Sequence, residues 1–223
     1  MRQRKGKIIS FYFFLLIIIS TITNFSFNNI SFNKVKNIKV SGLSDANNKI
    51  ISKKIDNLNL SNILFLNKKE IINLMNSNSL VEKYEIKKIY PSTIKIKIHK
   101  TVFLAKINNN GKTFMVGSNG KLIPNNNEIR NLPFIFGSPE IIDFIKFKKI
   151  IDKSKISYQQ IESFYFFPSM RWDLRLKDNI LIKLSKNFSK DSLDNANKFI
   201  KENNLKKFTV IDLRVSDQII VYE

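Results

Sequence analysis

Few residues in this chain can act as acid, base, nucleophile or metal ligand, and their spacing brings none of them together. His99 is the only histidine, and it stands in the alternating run "STIKIKIHK" with Lys95 and Lys97 on the same strand face. A catalytic triad or a metal site would need partner residues that this run does not supply. There is no cysteine, which removes disulfides and the common zinc spacings and is compatible with an oxidising compartment. Gly111-Lys112-Thr113 resembles the end of a phosphate-binding loop, but the earlier glycine that such a loop needs falls at Lys106, and the surroundings read as a hairpin. Glu82 and Glu85 are three residues apart in a strand-like stretch, so they face opposite sides and form no carboxylate dyad. The expectation is a protein that is not an enzyme and has no cofactor or metal, and whose function is recognition.

The charge of the chain, +20 over 223 residues, would draw phosphate or another polyanion. The lysines are scattered, however, and Ile, Lys and Asn are abundant throughout, as A/T-rich codons would write them. The scatter favours codon bias over a dedicated polyanion site. "MRWDLRL" mixes an aromatic with basic residues and could stack nucleic-acid bases. Trp172, Leu174 and Leu176 share one strand face, though, which is core spacing, and no nucleic-acid partner is expected.

The elements that must position a recognition surface begin at the amino terminus. Arg2, Arg4, Lys5 and Lys7 precede an uncharged run from Ile8 to Phe25, and the next charge is Lys34. A helix over that run spans roughly 27 Å, near the thickness of a hydrocarbon core. The basic flank predicts a cytoplasmic amino terminus. The following "STITNFSFNNISFN" lacks a small-x-small cleavage site, so an uncleaved anchor is expected rather than a signal peptide. This reading divides the chain into a cytoplasmic tail at 1–7, a transmembrane helix at 8–25 and a tether at 26–34.

Residues 35–100 read as β-α-α-β-β. "VKNIKV" is a strand ended by Gly42. Ser44 or Asp45 can cap a helix with Ile51, Ile55 and Leu58 on one stripe, and Asn67, with Glu70 three residues on, opens a second helix with Ile71, Leu74 and Met75 inward. Val81 to Tyr90 and Thr93 to Lys100 are strands around a Pro91-Ser92 bend. Ile94, Ile96 and Ile98 then face two helices, and Lys95, Lys97 and His99 face water.

Residues 101–223 read as a mainly antiparallel β domain with flanking helices. Its strands include "TVFLAKI", "KTFMVG", "GKLI", "SFYFF", "MRWDLRL", "ILIKL", "FTVIDLRV" and "QIIVYE". Ser138 and Pro139 are expected to open one helix, and Ser189 another that uses Leu193, Ala196, Phe199 and Ile200. Asp212 and Arg214 are expected to pair on a solvated face. The fold class is α+β. The last stretch, Gln218 to Tyr222, is apolar and β-prone. Either it pairs on both sides inside a sheet, or it offers an open edge to which a partner can add a strand.

Together these motifs resemble the FtsQ/DivIB family of bacterial cell-division proteins. "IKVSGL" resembles the first strand and glycine of its POTRA domain. "KKIYPSTIKIKI" resembles its hairpin, carrying Tyr90, Pro91, Ile94, Ile96 and Ile98. "SNGKLI", "LPFIFG", "RWDLRL" and "VIDLRVSDQIIV" resemble its β domain. After the hairpin strand, this chain has His99, Lys100 and "TV" where relatives usually carry an acidic residue with Arg and Pro. The resemblance implies an inner-membrane, single-pass scaffold of the division septum with its bulk in the periplasm. It implies FtsB (DivIC) and FtsL as partners, with links to FtsW and FtsI, and other divisome contacts near the POTRA hairpin. The implied partner-binding residues are Val215, Ser216, Asp217, Gln218, Ile219, Ile220, Val221 and Tyr222, with Arg171. The alternative is a POTRA protein that chaperones substrates in envelope or outer-membrane assembly. That class normally carries a membrane β-barrel, and no run of barrel strands is evident here.

Overall fold

The computed structural model describes residues 2–22, 34–58, 60, 62–124, 131–203, 209–215 and 218–222. Residues 23–33, which hold the end of the expected membrane span and all of the expected 26–34 tether but Lys34, lie outside the described residues. The chain folds as two compact units, Met1–Met75 with Tyr84–His99, and Asn76–Lys83 with Lys100–Glu223.

The first unit starts with helix α1, Arg2–Ile22. It begins among the basic residues, and its described apolar part from Ile8 to Ile22 rises about 22 Å, against the roughly 30 Å of a hydrocarbon core. Among the described residues no helix is long and apolar enough to cross a membrane. The elements after α1 follow the expected order: β1 (Asn37–Ser41), α2 (Asp45–Asp56), α3 (Lys69–Ser77), β2 (Val81–Ile89) and β3 (Thr93–Lys100), with the end of α3, the start of β2 and Lys100 counted in the second unit. The sheet order is β1-β3-β2, with β1 parallel to β3. Period-2 alternation decides the faces of β3. Ile94, Ile96 and Ile98 are buried, as are Ile51, Ile55, Ile63 and Ile71, while Lys95, Lys97 and His99 are exposed. Asn67 Oδ1 accepts the Lys69 amide at 3.0 Å, so the expected capping side chain is in use at the start of α3. At α2, Ser44 makes no side-chain cap bond. Asn48 instead reaches back, accepting the Leu43 amide and donating to the Leu43 carbonyl.

The second unit carries a nine-stranded mixed sheet. Its further elements are β4 (Phe103–Asn109), β5 (Lys112–Gly117), β6 (Leu122–Pro124), β7 (Phe134–Phe136), α4 (Ile141–Lys153), β8 (Ile161–Phe166), β9 (Trp172–Leu176), β10 (Ile180–Leu184), α5 (Lys190–Asn203), β11 (Thr209–Leu213) and β12 (Ile220–Tyr222). The sheet order is β12-β11-β10-β9-β8-β7-β4-β5-β6. The pairs β4/β7, β7/β8 and β10/β11 are parallel, and the other five are antiparallel. Two of the parallel pairs need crossovers, and α4 and α5 are those crossovers. Both helices bury their apolar stripe in one core. Phe144, Phe147, Leu193 and Ala196 pack with Phe164, Trp172, Leu174, Ile182 and Ile211. Trp172 anchors it, stacked on Phe147 at 4.8 Å.

Helix α4 starts at Ile141 after Glu140, later than Ser138 and Pro139 suggest. Gly111 belongs to the β4–β5 hairpin turn, where Asn110 and Gly111 both have positive φ, so no phosphate loop forms.

The "SNGK" turn has a role that no local pattern discloses. The Asn119 amide donates to the Ser79 and Val81 carbonyls, at 2.9 and 3.0 Å. Thr101 and Ser118 hydroxyls donate to Glu82 Oε2, and Lys121 Nζ reaches the Asn76 and Asn78 carbonyls. These bonds hold residues 76–83 within the second unit.

Gly42 has φ +112°, and a Cβ built there would lie 1.8 Å from the Ile98 carbonyl oxygen. A side chain would therefore meet both backbone strain and backbone contact. Gly42→Ala is expected to destabilise the first unit by about 2–4 kcal/mol, read as a lowered urea midpoint.

Candidate partner-binding site

Among the described residues β12 is the last strand of the sheet and pairs antiparallel with β11 alone, Ile220 opposite Asp212 and Tyr222 opposite Val210. Among the described residues nothing pairs with its other side, which favours the edge alternative over a strand paired on both sides. The strand is shorter than Gln218 to Tyr222. Gln218 and Ile219 precede it and are exposed, Ser216 and Asp217 lie outside the described residues, and Val215 is 49% exposed because β11 ends at Leu213. Ile220 and Val221 are half-buried and Tyr222 is 50% exposed. Next to the start of β12 lies a groove of about 530 Å³, lined by Leu213, Val215, Gln218 and Ile219 on one side and by Ser189, just before α5, and Ser192 of α5 on the other. Sequence reasoning missed the serines, because nothing local brings the start of α5 next to the chain's last strand.

Arg171 is not at this edge. It stands just before β9, three strands from β12, about 14 Å across the sheet. Its Nε donates to Asp173 Oδ1 at 3.2 Å, and its guanidinium lies 4.3 Å from the Phe167 ring centroid. In the POTRA-type hairpin, Tyr90 and Pro91 are exposed, whereas Ile94, Ile96 and Ile98 are core. Those three isoleucines shape the sheet and cannot meet a partner.

The sheet next to the edge carries a row of charges set by strand register. Asp173, Lys183 and Asp212 face one another across β9, β10 and β11. The expected Asp212–Arg214 pair forms, but Asp212 is 3% exposed rather than on a solvated face. It is covered because β10 and β12 flank it and Arg214 folds back over it. Arg214 Nε donates to Oδ1 at 2.8 Å and Nη2 to Oδ2 at 2.5 Å, while the Arg214 amide also donates to Oδ1. These bonds hold the Asp212 carboxyl below its ordinary value, chiefly through the Arg214 side chain. Asp173 is as deeply covered but has weaker donors, Arg171 Nε and the Leu184 amide at 3.3 Å. Burial wins there and pushes its carboxyl up despite Arg171. Metal-binding groups of three or more His, Cys, Asp or Glu do not occur among the described residues.

Two family descriptions match the chain. "POTRA domain, FtsQ-type" covers residues 33–100, and "Cell division protein FtsQ/DivIB, C-terminal" covers residues 105–214, ending just before the β12 segment. Among curated relatives, cell division protein FtsQ of Rickettsia bellii is 29% identical over 188 residues, 81% of this chain and 69% of that one. FtsQ of Rickettsia conorii is 26% identical with the same coverage. Cell division protein DivIB of Staphylococcus aureus is 27% identical over 97 residues, 44% of this chain and 22% of that one. The solved major extracytoplasmic domain of DivIB from Geobacillus stearothermophilus aligns with 48% of this chain and 98% of its own, at 12% identity and a TM-score of 0.35.

The two buried carboxylates are expected to respond to pH in opposite ways. The Asp212 value is lowered on folding, so its stabilisation is complete above the ordinary value of 3.8 and is lost as pH falls through the lowered one. Asp212→Ala should cost about 1–2 kcal/mol at pH 7 and progressively less in acid. Asp173 has the reverse sign: its raised value makes the charged form unfavourable when folded, so Asp173→Asn should be neutral or stabilising at pH 7. Urea melts of both variants across pH 2–7 measure this.

Proposed function

The chain belongs to the FtsQ/DivIB family of cell-division proteins, and on that premise we propose that it is a non-enzymatic scaffold that binds FtsB (DivIC)- and FtsL-type partners by strand addition at β12. The single observation carrying this reading is the open edge of Ile220–Tyr222 at the end of the nine-stranded sheet. A partner strand there gains main-chain hydrogen bonds worth about 1 kcal/mol net each, and Ile219 and Tyr222 offer exposed apolar surface beside them. The groove next to Gln218 and Ile219 can accept partner side chains on one flank of the added strand. Through such partners the protein links the divisome to the septal wall enzymes FtsW and FtsI.

The same proposal assigns residues 35–100 to a POTRA domain and 101–223 to the β domain, both in the periplasm and gathered at the division septum. The apolar run from Ile8 to Phe25 serves as an uncleaved anchor with its basic end in the cytoplasm. What supports the anchor is the surface of α1. Ile8, Ile9, Phe11 to Leu16 and Ile17 to Ile19 are all exposed, so the helix is apolar on every side and none of the described residues covers it. Such a surface is unfavourable in water and suited to lipid.

Successive amides along a strand point to opposite sides. Of Ile220→Pro and Val221→Pro, one removes a donor from the open side and the other from the ladder with β11. The open-side variant is expected to lower capture of the FtsB-type partner at least about tenfold with its melting unchanged. Wild-type affinity in both variants would exclude strand addition. The anchor is tested separately by protease added outside spheroplasts, which should digest the chain beyond Lys34 while leaving the amino-terminal helix with the membrane.

A further inference from the structure

The strand register of the first unit gathers what the sequence scatters. Lys39 of β1 lies directly opposite Lys95 of β3, and Lys97 follows on the same face opposite Ser41. Lys87 of β2 and His99 of β3 stand on the same side, both beside Glu85, and all of these side chains are exposed. The one acid among them is Glu85, 3.5 Å from Lys87 and 4.0 Å from His99. Among the described residues no carboxylate pairs with Lys39, Lys95 or Lys97. Like charges placed directly across a strand pair destabilise the sheet, so this arrangement carries a cost that a merely wet face would avoid by mixing signs.

We infer that this lysine face docks on the phosphate surface of an anionic bilayer. Three features select that occupant. The face is a sheet surface with its charges spread in two dimensions, which suits a plane of phosphates rather than one carboxylate. Its strong bases are all lysine. Arginine, with its rigid fork, is the residue that reads a fixed carboxylate or phosphate bidentately, whereas lysine is a mobile point charge suited to a fluid array of headgroups. Finally, only residues 23–36 separate α1 from β1, a reach of at most roughly 50 Å even when fully extended. If α1 is anchored as proposed above, the bilayer is always within range and its effective concentration is high. The lysine face goes beyond the strand-addition reading and does not depend on it. It rests on the anchor only for this local concentration.

The chain has no cysteine, so Ser41→Cys offers a unique label on this face. The full chain carrying a fluorophore there is reconstituted in phosphatidylcholine vesicles with or without phosphatidylglycerol, with quencher-labelled headgroups in both. Flotation with the neutral vesicles reports the anchor. Quenching reports the face, so the two readings fail separately. Strong quenching is expected only on the anionic vesicles. It should weaken as salt rises from about 10 mM to about 150 mM and the Debye length falls from ~30 Å to ~8 Å. The triple variant Lys39→Gln, Lys95→Gln, Lys97→Gln should shift the docked-to-undocked ratio by up to about a hundredfold at low salt, roughly fivefold for each lysine. A matched triple elsewhere, Lys149→Gln, Lys153→Gln, Lys155→Gln, should leave it nearly unchanged. Equal quenching on neutral vesicles overturns the proposal, as does full quenching in the first triple. An equal loss in both triples also overturns it, since overall charge rather than this face would then be responsible. Absence of quenching on every vesicle overturns it too, and returns the face to a protein or wall-polymer partner or to solvent.

Discussion

In both units the described helices pack on one face of the sheet, and backbone hydrogen bonding makes that arrangement consequential. A strand satisfies its amides and carbonyls through its neighbours, so every interior strand is closed to outsiders and every terminal strand is open along one side. In the second unit the crossover helices α4 and α5 share a single core, and the parallel pairs β7/β8 and β10/β11 follow from those two crossovers. The chain then turns back once more and ends the sheet with β12. The availability of Ile220–Tyr222 is thus a consequence of strand order rather than of any property of those three residues.

The same one-sidedness explains how charge is distributed. Where the sheet is wide, its uncovered face next to the edge carries carboxylates matched by lysine and arginine: Asp173 with Arg171, Asp212 with Arg214, and Lys183 between them. Neighbouring strands shield these groups, and the quality of their hydrogen bonds decides whether burial raises or lowers each carboxyl. In the three-stranded sheet of the first unit the uncovered face is fully wet, and its lysines stand nearly unopposed. One face is internally neutralised and therefore structural. The other leaves its charge available to something outside.

Much of this is legible in the sequence where the signal is local. The β-α-α-β-β order, the inward isoleucines of β3, the turn at Gly42, and Trp172 with Leu174 and Leu176 in the core all follow from side-chain period and turn chemistry within a few residues. The candidate site is legible only as a composition, an apolar β-prone ending. The observed strand is two residues shorter than that composition suggests, because Gln218 and Ile219 have no strand partner among the described residues. Nor does the sequence separate Arg171 from the edge, since the intervening strands are close in the chain yet ordered only by pairing.

By itself, the sequence determined which side chains point together along each strand, because alternation is a property of covalent geometry. It also determined the family, through the order of its motifs. Tertiary structure alone decided which strand ends the sheet, that Asp212 is buried although its neighbour Arg214 is not, and that residues 76–83 are held by Asn119 and Lys121 in the second unit. Each of these depends on contacts between residues far apart in the chain. No local pattern encodes them, because the groups that satisfy a hydrogen bond or cover a charge are chosen only when the strands find their order.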